Sequence, residues 1–307
     1  MGKLRKVFWG AAGINNRNDP VRLRFDYRTG ITDLAAAVNI VLDDTGRPGR
    51  RKGFVQRSTT AFHSLHPYLS DQALAVTGDA LALIGADYSV RKLRNVRTGA
   101  RMSYADGNDG TRPVVFYANG YEQGKVYDGA SYPWSAAGYV GPDTSREHTG
   151  PPAGIHLLAD FGAYLLCAVG SVLFFSRPFA WSLFRPAADF VPFDSRIVMV
   201  RPVEGAVFVS TQTRTVVLKG ADPKQWALVT VAFYPASAGT DVMVEASRFG
   251  KGEGSGEVAV WTSSKGICAG FAGGEFRNLT SDRLVLPDAN QGAGLYTDGR
   301  YICCLDP

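Results

Sequence analysis

The chain has 307 residues, of which 45% are hydrophobic, so it can bury a sizeable core, while its formal net charge of +5 is only mildly basic. Its 35 glycines exceed the usual share of about 7% and indicate many tight turns. The four cysteines are scattered and the longest uncharged run is 161–176, which argues against a disulfide framework and against a membrane-spanning helix of about 20 residues.

Residues 1–60 are polar and rich in turn residues. Glycine, asparagine and proline cluster at 13–20, and a strand near 41–42 leads through an Asp/Gly turn into a cationic stretch at 47–52. A leader of this kind cannot close a core of its own. We therefore expect an N-terminal arm or docking segment over residues 1–60, extended, with its strands completed by the body or by a neighbour.

Residues 61–307 repeat one unit, a turn followed by a short apolar strand. The turns lie at 77–79, 119–120, 160–162, 203–205, 265–266 and 297–299. Most are spaced by roughly 40–45 residues, which is the period of propeller blades. The body is therefore predicted to be an all-β propeller of five to seven blades, with six favoured. We expect the strand containing Tyr301 to complete a blade with a segment near the start of the body.

Several patterns suggest chemistry but have simpler interpretations. His63 and His66 could be metal ligands, but no full ligand set flanks them, and they are interpreted as loop histidines. The stretch 106–110 is similar to part of a calcium loop but lacks the distal glutamate, so a hairpin turn is favoured. The cysteines Cys167, Cys268, Cys303 and Cys304 are expected to be buried free thiols.

Aromatic residues beside turns could either bind a sugar or pack between blades, and packing is favoured for Tyr132, Trp134, Phe179 and Trp181. The glycine-rich stretch 250–257 is not followed by a helix, so it is predicted to be a flexible loop rather than a phosphate site. No nucleophile elbow, Walker motif or sialidase repeat is present. The sequence therefore predicts no enzyme, no cofactor and no metal.

Two groups of cations are the strongest charge features. The first, in the arm, consists of Arg47, Arg50, Arg51, Lys52 and Arg57. The second consists of Arg91, Lys92, Arg94, Arg97 and Arg101. Each group is either a solvated face or a surface for phosphates or an acidic partner. The first group follows an Asp/Gly turn, so we expect it to be a short mobile segment that meets a partner subunit or a DNA backbone.

Both ends of the chain carry motifs of one protein family. They are Gly-Ile-Asn-Asn at 13–16, Ala-Val-Asn-Ile at 37–40, the glycine- and arginine-rich stretch 46–53, and the stretches 261–268 and 273–280. These motifs resemble those of tailed-phage tail hub or nozzle proteins, which are virion structural proteins related to packaged-DNA stabilisation proteins. The resemblance implies a β-propeller present in six copies around the tail axis. The chain is shorter than many nozzle proteins, so their large distal insertions are expected to be missing.

The function implied by the resemblance is structural. The chain would form a hexameric ring in the tail or neck, join the connector to distal tail parts, and line or close the path of DNA ejection. Its expected partners are other tail or neck subunits, with non-specific contact to packaged DNA and without membrane insertion. It would be made in the host cytoplasm and located in the virion tail. The first alternative is a receptor-binding or tail-tip propeller that recognises a cell-surface glycan. The second is a glycan-processing propeller enzyme, which would need a close pair of carboxylates in a central pocket.

Overall fold

The computed structural model describes residues 10–26, 28–43, 45–53, 55–136, 148–249 and 256–306. Throughout these ranges the regular elements are β-strands and short 3-10 turns, so the all-β prediction is confirmed. The 3-10 turns cover Pro20–Arg22, Pro223–Gln225, Ala246–Phe249 and Ala272–Gly274. No helix in the described part is long and apolar enough to span a membrane.

The arm contains four short strands that pair with one another. They are β1 (Gly10–Ile14), β2 (Ile31–Leu34), β3 (Ile40–Leu42) and β4 (Pro48–Arg50). β1 and β2 are parallel, and β3 and β4 form an antiparallel hairpin. The expectation that the body or a neighbour completes these strands is therefore wrong, because each finds its partner within the arm. The boundary at residue 60 stays a prediction.

The arm nevertheless contacts the body through its first turn. The Asn16 side-chain amide donates to the carbonyl of Val285 at 2.8 Å, and its oxygen accepts the Val285 N–H at 2.8 Å. Arg17 donates to the carbonyl of Ser281. The arm is thus docked on a loop near the end of the chain, across more than 260 residues of sequence.

The body contains five antiparallel sheets in chain order. The first has β5 (His63–Tyr68), β6 (Gln72–Thr77), β7 (Ala80–Ile84) and β8 (Val90–Asn95). The second has β9 (Ser103–Asn108), β10 (Pro113–Ala118), β11 (Gln123–Tyr127) and β12 (Ala130–Tyr132). The third has β13 (Leu157–Phe161), β14 (Tyr164–Val169), β15 (Val172–Arg177), β16 (Ala180–Phe184) and β17 (Phe190–Pro192).

The fourth sheet has β18 (Ile197–Val203), β19 (Ala206–Thr211), β20 (Thr215–Lys219) and β21 (Ala227–Ala232). The fifth has β22 (Val242–Glu245), β23 (Glu257–Ser263), β24 (Gly266–Phe271) and β25 (Glu275–Asn278). A separate hairpin of β26 (Gln291–Thr297) and β27 (Arg300–Asp306) follows. The uncharged run 161–176 is divided between β13, β14 and β15 by turns at Gly162 and Gly170.

Apolar side chains fill the space between each sheet and the next. Phe208 of the fourth sheet and Trp261 of the fifth are fully buried, with ring centroids 5.6 Å apart. Gly270 makes this packing possible, because a Cβ there would lie 2.3 Å from the Phe208 ring. Similar clusters join the first sheet to the second, the second to the third and the third to the fourth. The core is therefore a series of layers in chain order.

The end of the chain differs from the prediction. Among the described residues β27 pairs with β26 alone, and the strands at the start of the body form a complete sheet of their own. The expected closure through the Tyr301 strand is therefore wrong. The reason is local: Asp298 and Gly299, with φ of 50° and 73°, form a two-residue turn that folds β27 back on β26. The number of blades stays a prediction.

The cysteines also separate into two pairs. All four are free thiols, as predicted, and Cys167 and Cys268 are buried. Cys303 is half-buried and Cys304 is exposed, so burial was wrongly predicted for this pair. The cause is that the β26–β27 hairpin is covered on one face only, and successive residues of a strand point to opposite faces.

Candidate functional site

The basic segment of the arm lies on the β3–β4 hairpin. The Asp43 carboxylate closes the turn by accepting hydrogen bonds from the N–H and hydroxyl of Thr45, at 2.9 and 2.7 Å, and from the N–H of Arg47 at 2.9 Å. The bond from the Thr45 side chain, and then the one from the Arg47 backbone, lower the pKa of Asp43. Beyond β4, the N–H of Arg51 donates to the Asn39 carbonyl at 2.9 Å, which lengthens the hairpin.

Gly46 attaches this hairpin to β1. The N–H of Ala11 donates to the Gly46 carbonyl at 2.7 Å, and Gly46 has a φ of 81°. A Cβ at this position would lie 2.8 Å from the carbonyl oxygen of Ala11. Both the left-handed backbone and the close approach require glycine.

The predicted site residues are all exposed: Arg47, Arg50, Arg51, Lys52 and Arg57. The first three lie in the hairpin formed by the Asp43 turn and the pairing with β3, and the mobility of the segment stays a prediction. Lys52 and Arg57 follow in irregular backbone. The sequence signal that could have revealed the hairpin is the Asp-Asp-Thr-Gly turn. It separates the two segments that pair as β3 and β4.

Three of these cations line one groove. It has a volume of about 510 Å³ and is lined by Asn39, Arg50, Arg51, Lys52 and Gly53. Its described lining residues include no carboxylate. Like charges held this close favour an anionic occupant, such as phosphates or the carboxylates of a partner.

The second group of cations has a different role. Arg94 on β8 donates to the Tyr117 hydroxyl and to the Gln123 carbonyl, both at 2.9 Å, and so joins the first sheet to the second. The other arginines of the group also reach across: Arg91 donates to the Gly129 carbonyl, Arg97 lies over the Tyr121 ring and Arg101 donates to the Ala238 carbonyl. This group therefore contributes to contacts within the body. Sequence reasoning missed this role.

A second concavity lies between sheets of the body. This cleft of about 650 Å³ extends from Tyr104 in the second sheet to Met243 in the fifth. Burial, and then the nearby Tyr117, raise the pKa of Tyr104. The cleft includes the exposed carboxylates of Asp160, Glu204 and Glu257, and its Arg201 forms an ion pair with Asp241. These acidic residues disfavour the anionic partners that suit the basic groove.

The histidines and the calcium-like stretch take part in ordinary structure. His63 and His66 lie on β5, so their assignment to a loop is wrong. His66 Nε2 lies 3.0 Å from Asp106 Oδ1 and its ring stacks on Tyr104, which joins two sheets. The turn predicted within 106–110 begins at residue 109, after β9 ends. Across the described ranges, no three His, Cys, Asp or Glu residues are placed to hold a metal ion.

Two of the four aromatic residues beside turns, Trp134 and Trp181, pack between sheets as predicted. Trp134 and Trp181 are buried against Phe116, at centroid distances of 5.0 and 5.8 Å. Tyr132 stacks on Tyr127 of its own sheet, with ring centroids 3.9 Å apart. Phe179 packs in neither way, with 81% of its surface exposed. The predicted flexible loop at 250–257 lies almost wholly outside the described residues.

Comparison with solved structures decides the fold. A streptogramin B lyase structure aligns over 87% of this chain and 84% of its own, with a TM-score of 0.51 and 11% sequence identity. The layered sheets described above align with that fold over most of both chains. The chain is a β-propeller. Streptogramin B lyase is an enzyme, but a structural similarity at 11% sequence identity establishes only the fold of this chain.

Other propeller-like structures are less similar. Virginiamycin B lyase from Staphylococcus aureus aligns over 87% of this chain and 85% of its own, with a TM-score of 0.46 and 10% identity. An extracellular domain of a putative one-component system from B. thetaiotaomicron aligns over 82% of this chain and 35% of its own, at a TM-score of 0.48 and 12% identity. No protein-family model and no curated protein sequence matches this propeller.

Proposed function

We propose that this propeller is a structural subunit of a tailed-phage virion. In this proposal six copies form a ring in the tail or neck, which joins the connector to distal tail parts and lines or closes the DNA exit path. The chain acts by assembly and takes part in no reaction, so it needs no cofactor. The sequence motifs at both ends support the family, and the propeller fold is the one that this family implies.

The observation that carries the proposal is the basic groove of the arm. Arg50, Arg51 and Lys52 line it, and all three are exposed at the end of the β3–β4 hairpin. The groove brings three exposed cations together with no carboxylate among its described lining residues, so it is the cationic surface best suited to an anionic partner. The acidic face of an adjoining tail or neck subunit is the first choice of partner, and packaged DNA is the second.

The glycan-binding alternative has less support. It needs exposed aromatic residues gathered on one face of the propeller. Trp134 and Trp181 are buried, and the exposed aromatic residues are divided between the two ends of the sheets. Tyr88 and Phe179 follow the third strands of their sheets, whereas Tyr121 and Phe233 follow a second and a fourth strand, which end on the opposite face.

Two triple variants test the groove at an equal change of charge. Arg50, Arg51 and Lys52 are replaced by Ser in one, and the exposed arm residues Arg22, Arg24 and Arg28 are replaced by Ser in the other. We expect both to unfold within about 0.5 kcal/mol of the wild type, because all six positions are exposed. Only the groove variant should enter particles poorly or release DNA. Equal incorporation and genome retention for the two variants would contradict the proposal.

Duplex DNA binding distinguishes the two partners. If the groove binds DNA, a plot of log affinity against log salt concentration should be less steep for the groove variant. Its slope should decrease in magnitude by up to about 3, since each phosphate contact contributes about 0.9. If an acidic subunit is the partner, the slope for DNA should stay unchanged while incorporation still falls.

A further inference from the structure

The C-terminal hairpin has half the strands of the other sheets. It consists of two strands, β26 and β27, of seven residues each. Each of the five sheets of the body has at least four strands. The inner face of the hairpin is covered by the fifth sheet, because Tyr296 and Tyr301 pack against that sheet's buried apolar cluster. The Tyr301 hydroxyl also donates to the carbonyl of Thr240, just before β22, at 2.7 Å. The free edge of β26 is also hydrogen-bonded to the body, because the N–H of Gly292 donates to the Ala238 carbonyl at 2.9 Å.

The outer face and outer edge of this hairpin are open in the described part of the chain. β27 pairs with β26 alone. Leu295 and Ile302 face each other across the two strands and are 56% and 38% exposed. The residues of this face alternate along both strands: Gln291, Ala293, Leu295, Thr297, Arg300, Ile302, Cys304 and Asp306.

The turn decides which backbone groups of β27 are available. In a two-residue hairpin the residues flanking the turn, here Thr297 and Arg300, form a hydrogen-bonded pair, and such pairs alternate with non-bonded ones along the strands. Residues 300, 302, 304 and 306 therefore bond to β26. The N–H and C=O groups of Tyr301, Cys303 and Leu305 point outward and can bond to another strand.

We propose that the β27 edge pairs with the β27 edge of a second copy of this chain. The two strands run antiparallel around a two-fold axis at Cys303, so that β26, β27 and their equivalents form one four-stranded sheet. This contact goes beyond the proposed function and does not rest on it. A two-fold contact is closed, so it is separate from the contacts that would propagate a ring.

The charges of β27 favour a second copy of the same strand as its partner, and they favour one register of pairing. With Cys303 opposite its equivalent, Arg300 lies opposite Asp306 of the other copy, twice, and Ile302 lies opposite Cys304. All seven residues of β27 are paired, and the outward groups form three hydrogen-bonded pairs. A shift of the axis to Ile302 or Cys304 loses the Arg300–Asp306 pairs and leaves residues unpaired. The second copy also supplies the two strands that the hairpin lacks.

Charge reversal with restoration tests this pairing in the full chain. Arg300→Asp places two acids opposite each other, and Asp306→Arg places two bases opposite each other. Each single variant should raise the dimer dissociation constant about tenfold, because like charges face each other at two symmetric positions. The double variant restores opposite charges and should restore the dimer. Sedimentation velocity over a range of protein concentrations measures this, and circular dichroism verifies that every variant is folded.

A disulfide trap tests the register. The register places Cys303 opposite its own equivalent, so the trap is built in a Cys303→Ser background. There Ile302→Cys should form an intermolecular disulfide with Cys304 under diamide, which oxidises the two thiols, and the product should be a dimer on a non-reducing gel. Adding Cys304→Ser should abolish this dimer. A wild-type chain that is monomeric at every concentration would overturn the inference. So would a dimer that neither reversal weakens, or a larger assembly that every variant retains.

Discussion

At the scale of single residues, Arg94 shows how a cation can stabilise this fold rather than bind a partner. Its guanidinium reaches from β8 to the Tyr117 hydroxyl and the Gln123 carbonyl of the next sheet. A hydrogen bond from a charged donor contributes about 1.5–3 kcal/mol, more than a neutral one. Lys92, two residues before it, makes only an exposed ion pair with Asp79 at 3.4 Å.

Replacing these two residues separates the two roles. We expect Arg94→Met to lower the free energy of unfolding by about 2 kcal/mol, because both of its bonds to the second sheet are lost. Lys92→Met on the same strand should cost less than about 0.5 kcal/mol. Urea denaturation measures both values. Equal losses for the two variants would show that Arg94 does not join the sheets.

Asp109 is the clearest pH-dependent group. Its side chain is 10% exposed, and its carboxylate accepts a hydrogen bond from Lys125 at 2.8 Å. Burial alone would raise the pKa of Asp109, but the bond from Lys125 and those from Thr111 outweigh it and hold the pKa well below the ordinary 3.8. The folded state therefore favours the charged form.

The stability from Asp109 should be present above its ordinary pKa and lost as the pH falls toward its lowered one. We expect Asp109→Asn to cost about 2 kcal/mol at pH 7, and this difference from the wild type should shrink steadily below about pH 4. Asp128→Asn, at an exposed pair with Arg112, should have little effect at either pH. Urea denaturation at pH 7 and pH 3 measures the trend, and a difference that grows in acid would contradict it.

At the scale of elements, the contact between neighbouring sheets depends on glycines that admit aromatic rings. Gly270 on β24 lies directly under Phe208 of the fourth sheet. We expect Gly270→Ala to cost about 1–3 kcal/mol, because the added methyl overlaps the ring. Adding Phe208→Leu should cost less in the Gly270→Ala background than in the wild type, since the smaller side chain relieves the overlap. Additive losses would contradict this explanation.

A matched control is available at Gly53. Its position has nothing within 4 Å of an added Cβ and no left-handed backbone. Gly53→Ala should therefore leave the free energy of unfolding unchanged within about 0.5 kcal/mol.

The sequence predicted the elements of this fold better than their partners. The turn at Asp298–Gly299 is a local signal, since aspartate and glycine tolerate the positive φ that such a hairpin needs. The parallel pairing of β1 with β2 has no such signal, because the strands are joined by a long connection. The partners of Arg94 lie 23 and 29 residues away. The basic groove was predicted by its charges, whereas its hairpin was not.

At the scale of the whole molecule, each sheet packs against the sheets next to it in the chain. The fourth sheet has clusters on both faces, shared with the third and the fifth, whereas the C-terminal hairpin has one covered face. Elements with a neighbour on one side only are held less firmly than those with two. Protection from hydrogen exchange should therefore be higher in β19 and β20 than in β26 and β27. Uniform protection, measured by mass spectrometry, would contradict this.

The absence of a shared closing strand in the described chain also bears on how the protein is made. Each sheet is built from consecutive strands, and from the second sheet onward one of the neighbours on which it packs has already been synthesised. A nascent chain leaving the ribosome can therefore fold one sheet at a time, without the first sheet waiting for the last strand. The arm is different, because Asn16 and Arg17 bond to residues 281–285. Its docking can begin only after residues 281–285 have emerged, later than the folding of the five sheets.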